Sequence, residues 1–443
     1  MTRLLSLLAC VLLASALPGH AQDTAAADAK TPPGSNAGCD VGIYRGHGQH
    51  DIVVLTTPSS GEPGLRYMFF DGRRGALKDA ASPVRCMQDI VQVLDKDGAT
   101  TPWKKMPVRA TPTRFDSGGI GMQGLLLEPG GVVKPPLAVF VHGSESTPSI
   151  GDATTSHYPY PYLLVAQGIS MFVYDKRGTG ASGGRYSQNF EDLAQDAVAA
   201  SREARRLASG RYRRFGFWGG SQGGWIAPLA AQRANADYVV VGFGLVLSPL
   251  EEDAEQVYDE LRRKGYDDKA IADAHIVTDA TGDVIASHFT AGFDHLQDVK
   301  RRFSGTLWLS KIEGEFTGEI LRTDEAELRK SGRDKLDNLD ILWRYDAMAA
   351  LRSVSTPQLW VMAADDTAAP GALSRERLAQ LRREGKPIDV FVFPHTDHGI
   401  FEYTVDADGT RHNVRIADGY FRLLGDWIKR DLGPPYGISV QQP

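Results

Sequence analysis

From Cys39 to Met106 the apolar residues come in short runs, DIVVLTT, LRYMFF and DIVQVLD, separated by SSGEPG, DGRRG and KDG. Runs that brief, punctuated by Asp-Gly and glycine-rich breaks, predict strands and turns, and hence a small β-rich domain over residues 39–106. A second β entry runs from TRFDSGGIGMQGLLLEPGG into LAVFVHGSE, which ends at Glu145. The rhythm then changes to alternation. The strand-like ISMFVYD is followed by the helix-length NFEDLAQDAVAASREARRLA, then by RFGFWGGS, QGGWIAPLAAQRA and YVVVGFGLVLS. Strands alternating with helices imply parallel β-α-β units in a doubly wound sheet. The unbroken apolar run VVVGFGLVL fits a strand covered on both faces. Residues 250–351 lose the strand rhythm and read as amphipathic helices, after which TPQLWVMAADD and IDVFVFPHTDHG resume it. The expected plan is therefore an α/β core over 107–249 and 352–435, interrupted by a helical cap at 250–351 and closed by a tail at 436–443.

The first residues, MTRLLSLLACVLLASALPGHAQD, put Arg3 before an apolar run that breaks at Pro18 and Gly19. This pattern predicts an export signal over 1–21 cleaved after Ala21, and thus a periplasmic or secreted protein. LLAC ending at Cys10 also resembles a lipoprotein box, although apolar sequence continues beyond it; lipid anchoring at Cys10 is the alternative. No later segment reaches the length of a membrane span. Residues 22–38, QDTAAADAKTPPGSNAG, are small, polar and proline-interrupted, the composition of a disordered linker. After cleavage only Cys39 and Cys86 remain. An oxidising compartment would let them pair as one disulfide, with two buried thiols as the alternative.

Composition narrows the classes. The chain has 443 residues, 42% hydrophobic and 23% charged, with a formal net charge of −6. A net negative chain without long basic runs does not suit phosphate backbones, so no nucleic-acid partner is expected. The basic cluster Arg202 to Arg206 is short enough to be a solvated helix face. His47 and His50 lack a third ligand nearby in sequence, and no metal or organic cofactor is implied.

Candidate chemistry lies at the strand exits, because ligands of open α/β sheets bind beyond the carboxyl ends of the strands. Four exits carry reactive residues: His142-Gly143-Ser144-Glu145, Ser221, Asp365 with Asp366, and His395, Asp397 and His398. In FGFWGGSQGGWIAPLA, residues 215–230, Ser221 stands between glycine pairs at a strand-to-helix junction. That is the geometry of an exposed nucleophile, with Gly219 and Gly223 leaving room for the tight turn; a glycine-rich surface turn is the bland alternative.

Taken in order, HGSE, YDKRGTGASGG, GGSQGG, RYDAMAALRSVSTPQLWVMAADDTAAP and HTDHG resemble the α/β-hydrolases. The chain is most similar to secreted bacterial serine hydrolases grouped with serine aminopeptidases and esterases, over roughly residues 110–432. The resemblance implies an α/β-hydrolase fold and the roles of Ser221 as nucleophile, His398 as base and Asp366 as acid. His395 is the rival base and Asp365 the rival acid. The backbone N–H of Gln222 and that of Ser144, or of Gly143, would form the oxyanion hole. The chain departs from its relatives at Glu145, where glycine is usual, and a carboxylate turned inward there would oppose an oxyanion. YDKRGTGASGG lacks the ending of a phosphate loop; Asp175 and Arg177 are expected to brace neighbouring backbone, without a catalytic role. Trp225, Trp308 and Trp343 are expected to pack in the core or cap.

The function implied is cleavage of a small carboxylic ester through an acyl-enzyme. An aminopeptidase-like amidase acting on short peptides is the first alternative, with Glu145, Glu251, Glu252 or Asp253 as anchors for a substrate amine. A catalytically silent hydrolase-fold binding protein is the second. Sequence leaves the oligomeric state open.

Overall fold

The computed structural model describes residues 39–443 apart from 59–63, 88–89, 96 and 155–158. The expected signal segment and linker lie outside the described residues. A central nine-stranded sheet organises the rest. Its middle is parallel: Ser170–Tyr174, Leu137–Val141, Phe215–Gly220, Tyr238–Gly242, Gln358–Ala363 and Ile388–Phe393 lie side by side in that order. At one edge the hairpin Val108–Ser117 and Ile120–Pro129 adds antiparallel strands. Its turn is Gly118-Gly119, both at positive φ (61° and 88°), the conformation a two-residue hairpin turn needs. At the other edge Val440–Gln441 pairs antiparallel with Val392 and Phe391, so part of the expected tail completes the sheet.

Alternation along each strand feeds two cores. Val139, Phe217, Val239 and Trp360 face helices Phe190–Leu207, Gly223–Ala234 and Ala372–Arg383. Phe140, Trp218, Val240 and Leu359 face helices Tyr160–Ala166 and Tyr420–Lys429. Helix Phe190–Leu207 shows why such segments form. Asn189 caps it by accepting from the N–H groups of Glu191 and Asp192, and apolar residues at 190, 193, 194, 197, 200 and 204 form one buried stripe. Arg205 and Arg206 end it where the helix dipole favours cations.

Residues 42–105 form a seven-stranded antiparallel sheet. One face (Ile43, Ile52, Val54, Met68) joins the second core, and the other (Tyr44, Val53, Leu55, Phe69, Trp103) closes its own cluster. A disulfide links Cys39 to Cys86, with Cα atoms 5.5 Å apart.

The helical segment begins at Pro249–Arg263 and Asp268–Ala286 and has a core of its own built on Val257, Ala274, Phe293, Leu296 and Trp343. One reading of the chain pattern needs correction. The apolar run after Val241 does not continue as strand: Phe243 turns to φ 44° and donates its N–H to Val361, and residues 243–248 form a buried loop. Within the last part of the helical segment lie two helices, Glu325–Leu336 and Ala347–Ser353. Between them Asp337 leaves the helix to accept from Trp343 Nε1. Among the described residues no helix is long and apolar enough to cross a membrane.

Candidate active site

Ser221 occupies the turn between strand Phe215–Gly220 and helix Gly223–Ala234 at φ 51°, a strained conformation for a residue with a side chain. The surroundings hold it there. Ser221 N–H donates to Gly242 O at 3.0 Å, and Gly224 N–H donates to Ser221 O at 2.8 Å. The glycine spacing is mechanical. A Cβ on Gly219 would lie 2.3 Å from Gly223 O, and one on Gly223 would lie 2.5 Å from Val141 O.

The strained turn lifts Ser221 Oγ to 3.1 Å from His398 Nε2. His398 Nδ1 lies 2.9 Å from Asp366 Oδ2, and the buried Asp366 carboxylate also accepts from the N–H groups of Ala368 and Ala369. With Nδ1–H given to Asp366, the neutral imidazole leaves Nε2 as the acceptor for the serine hydroxyl. Phe243 packs edge-on against the ring, 5.1 Å between centroids. Burial disfavours charge on His398, but the Asp366 carboxylate outweighs it, and Glu252 and Glu145 add to the attraction. The imidazole is thereby held up at about 9.

The rival residues sit elsewhere. His395 is exposed, with Nδ1 3.9 Å from Asp365 Oδ2. Asp365 accepts from Tyr403 Oη at 2.9 Å and does not meet His398. Asp397, Arg411 and Tyr403 have no assigned role in the sequence reading, yet they surround the site. Asp397 Oδ1 accepts from the N–H groups of Thr367 and His398, both at 2.8 Å, so one carboxylate ties the acid loop to the base loop. Burial would raise the Asp397 pKa; the Thr367 N–H and the Arg411 guanidinium prevail and lower it. Arg411 comes from the hairpin Phe401–Val405 and Arg411–Ile416, which the Asp408-Gly409 dipeptide could have signalled.

Opposite Ser221 stands the loop after strand Leu137–Val141. Among the described residues, the backbone N–H groups of Gln222 and Ser144 have no acceptor. The Glu145 side chain turns back over the loop: its Oε2 lies 3.5 Å from His142 Nδ1 and 2.8 Å from where a Gly143 Cβ would stand. Asp175 accepts from the Ile150 and Ala181 N–H groups. Arg177 Nη2 donates to the backbone Asp192 O at 3.2 Å, as expected, and the guanidinium also pairs with the side chains of Asp196 and Asp192.

The helical segment contributes carboxylates of different fates. Glu251 completes a capping box with Ser248 and pairs with Arg377. Asp253 is fully buried, accepts from the Phe316 and Thr317 N–H groups, and is pushed up to about 6 by burial. Glu252 feels the charges of His398 and Asp366; burial and Glu315 push it up to about 8, with His398 acting the other way. Trp225, Trp308 and Trp343 are buried in the core and cap clusters. Among the described residues no group of three or more His, Cys, Asp or Glu side chains is arranged to hold a metal ion.

The model of the Alpha/beta hydrolase family matches residues 138–407. No curated protein matches the sequence. Among solved structures, Pyrococcus horikoshii acylaminoacyl peptidase is 16% identical with a TM-score of 0.44, covering 84% of this chain and 48% of its own. The present chain thus spans about half the length of that peptidase. Est1E from Butyrivibrio proteoclasticus with ferulic acid bound is 16% identical (TM-score 0.41), covering 72% of this chain and 96% of its own. A Pyrococcus furiosus esterase is 12% identical (TM-score 0.40), covering 66% and 84%.

Proposed function

The chain belongs to the alpha/beta hydrolase family, and on that premise we propose that it is a serine hydrolase cleaving carboxylic esters through an acyl-enzyme, with Ser221, His398 and Asp366 as its triad. The observation that carries this reading is the unbroken chain of contacts from Ser221 Oγ to His398 Nε2 and from His398 Nδ1 to Asp366. Ser221 Oγ attacks the ester carbon while its proton passes to His398 Nε2. The resulting oxyanion is met by the N–H groups of Gln222 and Ser144, with Gly143 leaving the backbone close. Collapse expels the alcohol, which takes its proton from His398. Water then repeats the sequence on the acyl-enzyme, with His398 accepting and returning a proton. Asp366 keeps the ring in the working tautomer and stabilises its cation.

An amidase reading is favoured by one observation, the acidic surroundings of His398. Glu252 and Glu145 both act on it. Either is suited to anchor the ammonium of an aminoacyl substrate, whereas Glu251 and Asp253 are engaged elsewhere. Export to an oxidising compartment, periplasmic or extracellular, belongs to the same proposal; the Cys39–Cys86 disulfide supports it.

The test is turnover of p-nitrophenyl acetate, butyrate and octanoate beside alanine- and proline-p-nitroanilide, by wild type and Ser221→Ala. Ester turnover lost in the variant, with anilides inert, supports the esterase. Serine-dependent anilide release moves the assignment to the amidase. A wild type inert to every substrate and to a fluorophosphonate probe removes both in favour of a silent binding protein.

A further inference from the structure

Three consecutive peptide carbonyls of the loop facing Ser221 are each held by a side chain from one other loop. Gly143 O accepts from Lys176 Nζ at 2.7 Å, and Glu145 O accepts from the same ammonium. Ser144 O accepts from Tyr186 Oη and from Gln188 Nε2. Lys176 is 3% exposed, and its ammonium also lies 5.2 Å from the centre of the Tyr186 ring. Its backbone is fixed in turn, because Lys176 O accepts from both the N–H and the hydroxyl of Thr179. All these donors come from the stretch 176–188, to which the triad chemistry gives no part.

We propose that Lys176 is a positioning residue of the oxyanion hole, aiming the Ser144 N–H at the developing oxyanion by holding Gly143 O from behind. The inference rests on the serine hydrolase reading. Its physical basis is the planar trans peptide: Gly143 C=O and Ser144 N–H belong to one rigid unit and point in opposite directions. A donor that fixes the carbonyl therefore fixes the direction of the N–H. A cation on the carbonyl also polarises the peptide and strengthens the N–H as a donor. Lysine suits the task because a compact ammonium with three donors can reach two carbonyls of one tight loop, which a planar guanidinium fork matches poorly. The same ammonium places positive charge behind a loop whose own Glu145 carboxylate, folded against His142, would otherwise oppose an oxyanion.

The experiment compares wild type with Lys176→Met, which keeps length and removes donor and charge, and with Lys176→Arg. It measures kcat and KM for p-nitrophenyl butyrate, affinity for a trifluoromethyl ketone that forms a tetrahedral adduct on Ser221, and melting temperature. Deleting an oxyanion donor costs roughly 10²–10³-fold in kcat, and misaiming one is expected to cost about tenfold or more. The expected result for Lys176→Met is such a loss in kcat, KM within about twofold, and ketone affinity falling in step with kcat/KM. Lys176→Arg should recover part of it. Should Lys176→Met not fold, Lys176→Gln removes the charge and keeps one amide donor on a shorter side chain, and a smaller loss with the same split between kcat, KM and ketone affinity is expected. Unchanged kcat in a folded variant overturns the proposal, as does a kcat loss that leaves ketone affinity at its wild-type value. An active wild type with an unaffected Lys176 variant sinks this inference alone, whereas a wild type inert to all substrates removes the hydrolase reading and this inference with it.

Discussion

Arg411 donates to Asp397 Oδ2 at 2.9 Å, and with the same Nη1 reaches Asp365 O at 2.6 Å. A single guanidinium thus clips a hairpin onto the two loops that carry Asp366 and His398. The Tyr403 ring lies beneath it, 4.1 Å from the guanidinium carbon. Arg411→Met should leave the buried Asp397 without its cation and let the loops drift apart. The expected outcome is kcat lowered about tenfold with KM little changed, since small misalignments of a base are costly. Stability should fall by about 1–3 kcal/mol. The sign with pH follows from Asp397, whose carboxyl is depressed in the fold. Its contribution is present above the unfolded value near 3.8 and fades as pH falls through the folded one. Chemical denaturation at pH 7 and at pH values below 3.8 checks this: the gap between wild type and variant should narrow only in that acid range, and a gap constant through it refutes the clip.

Two adjacent aspartates differ in what they touch. Asp366 meets His398 Nδ1, whereas Asp365 meets Tyr403. Asp366→Asn presents the ring with an amide that stabilises neither the working tautomer nor the imidazolium, and kcat should fall by about 10³–10⁴-fold. Asp365→Asn keeps an acceptor for Tyr403 and should stay within about fivefold of wild type, a margin well below any triad effect. Steady-state kinetics on one ester decides between them, and comparable losses in both variants would break the assignment.

How much of this was legible in the sequence depends on the range of the interactions involved. Gly219 and Gly223 are readable because the constraint is local: the turn itself demands them. Ser221, Asp366 and His398 are readable as strand exits, because the periodicity fixes which end of each strand is which. Phe243 is not, since an apolar residue in an apolar run looks like strand until Gly244 meets Gly224 and the helix behind it; a Cβ on Gly244 would lie 3.0 Å from Gly224 Cα. Arg411 and Lys176 are invisible for the same reason. Each acts on a loop far off in sequence, and neither residue type announces a partner. The fate of Glu145 likewise depended on where His142 would be.

Gly219→Ala probes the nucleophile turn without touching a reacting group. The added methyl would meet Gly223 O at 2.3 Å and Ala227 Cβ at 3.0 Å, and backbone rather than a pliable side chain would have to move. Overpacking of this kind costs about 1–3 kcal/mol or more, enough to lower the melting temperature by roughly 5 °C. Gly305→Ala, where an added Cβ meets nothing within 4 Å, is the control and should melt as wild type. Calorimetry on the pair gives the answer; equal melting would mean that the turn has slack.

The pH dependence of turnover tests the electrostatics of the site. His398 must be neutral to accept the serine proton, yet its charged form is favoured, with a pKa raised to about 9. A raised pKa keeps the base protonated through neutrality, so kcat/KM should climb with pH along a limb whose midpoint lies above the ordinary imidazole value of about 6.5. Glu252 is one source of that elevation, and it ionises only as pH rises toward its own value of about 8. Glu252→Gln removes a carboxylate that favours the imidazolium, so the limb should move to lower pH and turnover at pH 7 should rise. Asp366→Asn should move it the same way while lowering the plateau. The profile of kcat/KM from pH 5 to 10 for wild type and Glu252→Gln checks both signs. A wild-type midpoint at or below 6.5 would mean that burial outweighs the carboxylates around His398; a limb unmoved or raised by Glu252→Gln would mean that this carboxyl does not act on the base.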